Sequence, residues 1–302
     1  MKQFISASTY FKSQFGQKVY KIALSAFCTC PNRDGSKSTG GCIFCSATGS
    51  GDFTFFDQDI KEQSKKAKEL VNAKFPKVAN KKYIAYFQNY TNTYGDAMRL
   101  ESLYNQAIED EEVVAVSIAT RPDCLSEEIM EVLKRLVKRT RVIIELGLQT
   151  SNEDNARYIN RAYPNCDYIN TMARLHLECP TIHVITHVIF GLPNESLADM
   201  LSTIKFCVEN KTDGFKISTL HVLKGTKLEE EYNKGLVPYL SEEAYFELLI
   251  EALKLIPESM VIHRLTGDGA KALLLSPLWT ANKRQVLNAL KKTLKDAGME
   301  LI

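Results

Sequence analysis

The feature that most restricts the fold is a repeated alternation of apolar strands with helix-forming segments. Continuous apolar strands joined by long helical crossovers indicate a parallel sheet covered by helices. Six such units predict an α/β fold of the partial (β/α)6 TIM-like barrel type, because a full barrel closes with eight. The predicted strands are residues 18–24, 83–87, 113–119, 141–148, 181–190 and 215–223.

Helical periodicity fills the intervals between these strands. The segment after the third strand begins at Ser126, a good N-cap residue, with two glutamates in its first turn. The other predicted helices are residues 6–15, 57–75, 96–109, 152–162, 166–178, 195–210 and 242–255. Because no linker divides the chain, we predict a barrel core over residues 1–257 and a C-terminal helical extension over residues 258–302. A short strand at 260–263 and a helix at 282–297 are predicted within that extension.

A loop rich in cysteine and glycine, residues 28–52, follows the first of the six strands. It contains Cys28, Cys30, Cys42 and Cys45, four of the eight cysteines in the chain. Thiolates on a flexible loop suit a soft metal centre, and four of them could instead close a structural zinc site. A disulfide is disfavoured, because no signal peptide is recognisable and we therefore expect a cytoplasmic, reducing location.

Polar residues follow the other predicted strands, at the end where parallel α/β sheets carry their chemistry. Glu145 is an acid within an otherwise apolar strand, where it could pair with a buried arginine. Asp123 could cap the following helix, and Gly191 to Pro193 could form an ordinary turn. Because five successive strand ends carry polar residues or glycine beside the cysteine loop, a binding site is the favoured interpretation.

The net charge of the chain is +2 and does not by itself indicate a nucleic-acid partner. No apolar run is long enough to predict a membrane span. Basic residues are dense in two runs, residues 61–82 and 134–141. These runs are typical of solvated helix faces, and contact with a phosphate backbone is the alternative.

The cysteine loop resembles that of the radical S-adenosylmethionine (radical SAM) superfamily, and the resemblance extends over nearly the whole chain. The segments Cys-Pro-Asn-Arg-Asp-Gly at 30–35 and Gly-Gly-Cys-Ile-Phe-Cys at 40–45 are similar to the Elp3/YhcC-like (YtqA-type) branch. The spacing departs from the commonest superfamily pattern, in which three residues separate the first two cysteines. The resemblance implies that Cys30, Cys42 and Cys45 bind a [4Fe-4S] cluster, with Cys28 outside the triad. Three ligands leave one iron open for S-adenosylmethionine, which an electron then splits to give a 5′-deoxyadenosyl radical.

Further residues acquire expected roles in cofactor binding from the same resemblance. Phe44 is expected near the adenine, Glu145 and Gln149 near the ribose, and Arg161, on a helix, near the methionine carboxylate. A Gly-Gly-Glu segment that holds the methionine amino group in many relatives is absent here. Its place is taken by Gln88, Tyr90 and Asn92. The turn expected to reach adenine contains Gly191 and Pro193.

The segments at 50–53, 86–93, 223–226 and 263–269 resemble an MnmL-like subgroup that modifies the wobble uridine of tRNA. That resemblance implies conversion of 5-carboxymethylaminomethyl uridine to 5-aminomethyl uridine. A tRNA substrate and an electron donor of the reductase, flavodoxin or ferredoxin type are the implied partners. The alternatives are a radical enzyme acting on a small metabolite or a protein, and a zinc-bound adaptor. Candidate residues on the substrate side are Lys216, His221, Lys224, Arg264 and Asp268.

Overall fold

A computed structural model describes residues 1–49, 54–55, 57, 59–267 and 269–302. All six predicted strands are present, which confirms the α/β fold class. The strands are β1 (Lys2–Ser6), β2 (Val19–Leu24), β3 (Lys82–Phe87), β4 (Val113–Thr120), β5 (Arg141–Gln149), β6 (His183–Phe190), β7 (Gly214–Thr219), β8 (Val222–Leu223), β9 (Val261–Arg264), β10 (Leu274–Ser276) and β11 (Met299–Leu301).

Ten α-helices are formed by the described residues, most of them between successive strands of the sheet. Ser126 caps the fourth helix as predicted, accepting a hydrogen bond from the amide of Ile129. The helices are α1 (Ala7–Phe15), α2 (Ile60–Lys74), α3 (Ala97–Ile108), α4 (Glu127–Leu136), α5 (Glu153–Tyr158), α6 (Asn165–Glu178), α7 (Leu197–Glu209), α8 (Lys227–Asn233), α9 (Glu242–Leu255) and α10 (Lys283–Asp296).

Within the described part of the chain, nine strands form one sheet in which every pairing is parallel. Their order is β11-β1-β9-β7-β6-β5-β4-β3-β2, so the six predicted strands are consecutive neighbours in the sheet. Strand β9, from the C-terminal segment, lies between β7 and β1. The remaining strands, β8 and β10, form a separate antiparallel pair.

Two predicted boundaries were wrong. The strand predicted at 215–223 ends at Thr219, and the chain then turns so that β8 pairs with β10 outside the large sheet. The helix predicted at 152–162 ends at Tyr158, because Asn160 and Ala162 both have left-handed φ values, 56° and 57°. Arg161 therefore lies in a loop and not on a helix.

Helix α1 closes the amino-terminal end of the sheet's interior. Phe11 belongs there to an apolar cluster that includes one residue from each of four neighbouring strands, Ile84, Ala115, Ile143 and Ile185. The helix is bounded by the Ser6 cap, which accepts from the amide of Thr9, and by left-handed Gly16. This apolar layer leaves the opposite end, where the strands end, as the open side of the interior. The described residues include no helix with the length and apolar character needed to cross a membrane.

Candidate active site

The cysteine loop is held in place by hydrogen bonds from its own polar side chains and from the loop after α5. The guanidinium of Arg33 donates to the carbonyl of Ser46 over 2.6 Å and to that of Cys45 over 3.3 Å. The buried amide of Asn32 donates across to the carbonyls of Asn160 and Arg161. The Asn32 bonds tie the cysteine loop to the loop after α5, and the guanidinium of Arg161 in that loop donates in turn to the carbonyl of Leu148 in β5.

Cys30, Cys42 and Cys45 line a single cavity of about 400 Å³ at this open side. Burial, the nearby Cys45 thiolate and, less strongly, the Cys30 thiolate raise the pKa of the Cys42 thiol to about 12. Three thiolates this close repel one another unless a cation lies between them. The three cysteines thus fit a group that supplies positive charge at this point, as the irons of a cluster would.

Cys28 is separated from this group. Its buried thiol donates to the carbonyl of Ala26 and accepts from the guanidinium of Arg99 over 3.7 Å, and it does not line the cavity. Among the described residues, no three His, Cys, Asp or Glu side chains converge on a point that one metal ion could occupy. A closed zinc site needs four ligands about 2.0–2.3 Å from one ion, and the four loop cysteines do not have this arrangement.

Most of the predicted site residues meet in the cavity. The side chains from the loop and the strand ends surround the same space as the predicted substrate-side residues, so one ligand could contact both groups. Those predicted residues that line the cavity, besides the three cysteines, are Phe44, Gln88, Tyr90, Glu145, Gln149, Arg161, Lys216, His221 and Arg264.

Four predicted residues among those described do not line the cavity. Asn92 is buried and joins two strands, because its amide donates to the carbonyls of Phe87 and Ala119. Gly191 turns the chain after β6 with a φ of 83°, and Pro193 is buried in the same turn. Lys224 is exposed at the surface. A fifth predicted residue, Asp268, and the motif at 50–53 lie outside the described residues.

Arg161 is almost completely buried, and its guanidinium is fully engaged by the protein. It donates to the carbonyls of Leu148, Thr150 and Tyr163 and to the side chains of Asn165 and Glu153. All five N–H groups of an arginine are thereby used. The predicted contact with a methionine carboxylate would require some of these bonds to open, whereas the observed bonds fasten the loop after α5 to the end of β5.

Arg121 is a cavity residue to which we assign no role from the sequence alone. It forms a two-pronged ion pair with Asp123, with both N···O distances at 2.9 Å, and Lys37 contacts the same carboxylate over 2.7 Å. One of its nitrogens is 4.0 Å from the sulfur of Cys30. Its position directly after β4, at one of the polar strand ends, is the sequence signal that could have identified it.

Glu145 is the centre of a buried polar network deeper in the cavity. Its side chain has no exposed surface, so its two oxygens depend on protein donors. The expected buried arginine partner is replaced by lysines. Atom Oε1 accepts from Lys21 and Ser117, and atom Oε2 accepts from Tyr86 at 3.0 Å, His187 at 2.7 Å and Lys216 at 2.7 Å.

The network shifts the ionisation of its members. Burial alone would raise the pKa of Glu145. The ammonium groups of Lys21 and Lys216 instead hold this pKa well below its usual range. Burial, and then the nearby charges of Arg264 and Lys21, lower the pKa of Lys216 to about 7 despite its contact with Glu145. Burial also lowers the pKa of His187 to about 4, so this imidazole is neutral near neutral pH. The network therefore contains an ionised acid and a lysine that can gain or lose a proton.

Comparison with known sequences identifies two family models along this chain. The model described as the radical SAM superfamily matches residues 30–207, and the radical SAM C-terminal domain matches residues 212–296. Protein YtqA of Bacillus subtilis, which is uncharacterised, is 40% identical over 298 residues, covering 98% of this chain and 91% of its own length. Protein YhcC of Escherichia coli is 32% identical over 288 residues, covering 95% of this chain and 91% of its own.

The fold has a counterpart in a solved structure. Elp3 from the archaeon Methanocaldococcus infernus superposes with a TM-score of 0.68 at 17% identity, over 93% of this chain. The chain spans 63% of that archaeal protein, so the two differ substantially in size. At this low identity the similarity establishes the fold, a radical SAM-type barrel core.

Proposed function

This chain belongs to the radical SAM superfamily, and we propose that it is a radical enzyme that modifies the wobble uridine of tRNA. Members of the superfamily use a [4Fe-4S] cluster and S-adenosylmethionine, and these are its cofactors. When bound, they supply a 5′-deoxyadenosyl radical that abstracts a hydrogen atom from the substrate. A reductase, flavodoxin or ferredoxin would supply the electron that starts each cycle.

The observation that carries the proposal is the grouping of Cys30, Cys42 and Cys45 in one cavity while Cys28 is engaged elsewhere. We assign the three grouped cysteines as the cluster ligands. Three thiolates satisfy three irons of a four-iron cluster and leave the fourth open to a ligand. Such an open position is required for catalysis and is absent from a closed structural site.

S-adenosylmethionine would occupy the part of the cavity between the cysteine loop and the strand ends. Phe44, Gln88 and Gln149 line this part and are the proposed contacts. Tyr90 has a supporting role, because its hydroxyl donates to the carbonyl of Ala47 and its ring lies under Gly49. The proposed contact between Glu145 and the ribose requires a ribose hydroxyl to replace one of the five protein donors that now surround this carboxylate.

The proposed reaction converts 5-carboxymethylaminomethyl uridine to 5-aminomethyl uridine. It follows from the resemblance of this chain to the wobble-uridine subgroup. Loss of a hydrogen atom from the carbon between the amine and the carboxylate, and then of one electron, would leave an iminium, with S-adenosylmethionine as the oxidant. Water would hydrolyse that iminium, breaking the C–N bond, releasing glyoxylate and leaving the 5-aminomethyl group. Lys216, His221 and Arg264 line the cavity and are the residues that we propose on the substrate side.

The two basic runs are poorly placed to supply all the phosphate contacts of a tRNA. Acidic neighbours already pair with Lys61, Lys66 and Lys68 in the first run and with Lys134 and Arg135 in the second. Pairing of this kind is typical of a solvated helix face. The phosphate contacts would then come from the remaining lysines of these runs and from lysines near the cavity.

Two exposed lysines beside the cavity, Lys224 and Lys227, are better situated for this purpose. Lys227 lies against Gly40 of the cysteine loop, where an added Cβ would be only 2.6 Å from its Nζ atom. Lys224 follows Leu223, which lines the cavity. Both would meet the RNA backbone next to a nucleotide that enters the cavity, as phosphate contacts that position the substrate without reading its sequence.

Anaerobic reconstitution tests the radical chemistry. The protein is expected to bind about four irons per chain and, with dithionite and S-adenosylmethionine, to release 5′-deoxyadenosine. A protein that holds a single zinc ion and releases no 5′-deoxyadenosine would contradict the assignment of the chemistry.

Nucleoside analysis of tRNA tests the substrate. Cells that lack this protein are expected to lose 5-aminomethyl uridine and its derivatives and to accumulate the carboxymethylated precursor. Expression of the wild-type chain should restore the product, whereas a Cys42→Ser chain should not. An unchanged nucleoside profile, together with 5′-deoxyadenosine release in vitro, would redirect the search to a small metabolite or a protein substrate.

A further inference from the structure

Helix α10 has a strongly basic exposed side that lies outside the candidate active site. Its 14 residues, Lys283–Asp296, include five Lys or Arg and a single acid, Asp296, in the last position. Val286, Leu290 and Leu294 recur every four residues along the helix and are buried in the hydrophobic core. The side of the helix opposite this apolar stripe therefore faces the solvent.

Four of the basic residues are exposed on that side of the helix, and we call them the α10 basic face. They are Arg284, Lys291, Lys292 and Lys295. At 3.6 residues per turn, Arg284, Lys291 and Lys295 fall within about 40° of one another around the helix axis, and Lys292 is their neighbour. At 1.5 Å per residue, the face is about 16 Å long from Arg284 to Lys295. The four cations thus form one continuous row along the surface.

The charges of the α10 basic face are not neutralised by side chains in the described part of the chain. None of its four residues forms an ion pair or donates a side-chain hydrogen bond there. By contrast, acids pair with several cations in each of the two other basic runs, residues 61–82 and 134–141. Lys291 and Lys295 are one turn apart, and like charges at this spacing destabilise a helix. An external anion would relieve this repulsion.

The order of charges along α10 also does not favour the helix itself. The helix dipole is stabilised by acids in the first turn and by bases in the last. Helix α10 has Arg284 and no acid in its first turn, and it ends on Asp296. Lys295, in the last turn, is favourably placed. Because the stability of the helix does not account for the other charges, binding of an anionic partner is the better explanation of the pattern.

Helix α10 begins beside the candidate active site. Thr280, two residues before the Asn282 cap, lies 3.2 Å from His221, which lines the cavity. Asn282 also shares a surface groove with Lys271, the residue after Ala270, and Ala270 lines the cavity. From this end the helix leads to β11, which pairs in parallel with β1. The α10 basic face therefore extends from the region of the cavity along the outside of the barrel.

We propose that the α10 basic face binds the phosphate backbone of the tRNA whose wobble uridine enters the cavity. The inference rests on the proposed function and identifies the surface that holds the tRNA outside the anticodon. A row of unpaired cations suits a partner with regularly repeated negative charge, since each contact releases a counterion from the nucleic acid. Contacts of this kind position a nucleic acid without reading its sequence.

A membrane surface is a poorer partner for this helix. Basic helices that bind membranes insert an exposed apolar face between the lipids. The apolar stripe of α10 is instead buried in the hydrophobic core through Val286, Leu290 and Leu294. The helix thus presents its charges and keeps its apolar side for the fold, as expected for a surface that contacts RNA.

The test is equilibrium binding of a full-length tRNA that carries 5-carboxymethylaminomethyl uridine, measured at several salt concentrations. The protein is reconstituted and supplied with S-adenosylmethionine but no reductant. Each phosphate contact adds about 0.9 to the slope of log affinity against log salt concentration. The double variant with Lys291→Gln and Lys295→Gln should therefore have a slope lower by about two, and an affinity about 10–100-fold weaker at about 0.1 M salt. The double variant with Lys134→Gln and Arg135→Gln is the matched control, because it removes two surface charges of α4 that acids already pair, and it should keep the wild-type slope.

The possible results separate this surface from the proposed function. A wild-type slope in both double variants would overturn the α10 basic face and leave the tRNA substrate standing. An equal decrease of the slope in both variants would assign the binding to the overall charge of the protein and would likewise overturn the α10 basic face. Failure of the wild-type protein to bind the tRNA would overturn the proposed tRNA substrate and the α10 basic face with it. Vesicles of phosphatidylserine and phosphatidylcholine are a second probe, and vesicle binding that only the α10 variant loses, with its tRNA binding unchanged, would identify a membrane surface instead.

Discussion

Lys216 donates from Nζ to Oε2 of Glu145 over 2.7 Å, although β6 lies between the strands that carry them. The bond spans the interior of the barrel and joins β7 to β5. Tyr86 from β3 and His187 from β6 donate to the same oxygen. With Lys21 from β2 and Ser117 from β4 on the other oxygen, this single carboxylate accepts from side chains of five strands.

Replacing Glu145 tests this organisation. Glu145→Gln leaves buried cations without an acid, and we expect a loss of about 3–5 kcal/mol in the free energy of unfolding, as for a broken buried ion pair. Glu251→Gln, which removes an exposed partner of Lys254, is the matched control and should have a small effect. Urea unfolding of both variants measures the difference, and similar losses in the two would show that Glu145 is not a structural centre.

The cysteine assignment predicts a clear division among four variants. Cys30→Ser, Cys42→Ser and Cys45→Ser should each lose the cluster after anaerobic reconstitution, because each would remove one of three thiolate ligands. Cys28→Ala should retain about four irons per chain, since its thiol contacts Ala26 and Arg99 and not the cavity. Iron and sulfide analysis gives the result. Loss of iron in Cys28→Ala with a normal circular dichroism spectrum would make that residue a ligand.

Substitution of Arg161 distinguishes a structural role of this residue from a role in cofactor binding. Because its guanidinium serves three carbonyls and two side chains, Arg161→Lys should lower the free energy of unfolding by about 3 kcal/mol or more. Arg157→Lys, in the same segment but exposed and paired with Asp154, is the control. Urea unfolding and S-adenosylmethionine affinity are measured together. Unchanged stability with weakened cofactor binding would support the methionine-carboxylate role instead.

The sequence predicts the sheet well, because each central strand is a local apolar run such as Tyr83 to Phe87. Strand β1 was not predicted, because its five residues form a strand by pairing with β9 and β11, more than 250 residues away in the sequence. The cavity residues on strand ends are predictable for the same local reason. Arg161 and Arg121 are different, because which acceptors engage a guanidinium depends on how separate loops meet.

The ionisation of Lys216 predicts how substrate binding depends on pH. With its pKa lowered to about 7, Lys216 is charged below that pH and neutral above it in the substrate-free protein. Neighbours from the surrounding strands do not titrate in this range, because the pKa of Glu145 is well below it, that of His187 is about 4 and that of Tyr86 is well above it. In the part of the chain that the structure describes, the other charged groups that act on Lys216 are Lys21 on β2 and Arg264 on β9.

Affinity for an anticodon stem-loop that carries the proposed substrate, 5-carboxymethylaminomethyl uridine, should therefore fall as the pH rises from about 6 to about 9, relative to one that carries 5-methylaminomethyl uridine, which lacks the carboxylate. A bound carboxylate favours the charged lysine, so the fall should be centred above pH 7. Lys216→Arg keeps the charge at every pH in this range and should flatten the curve. The comparison uses the ratio of the two affinities, because both RNAs carry the same secondary amine and share its titration. An equally steep fall in Lys216→Arg would assign the titration to another group and remove Lys216 from the proposed substrate-side residues.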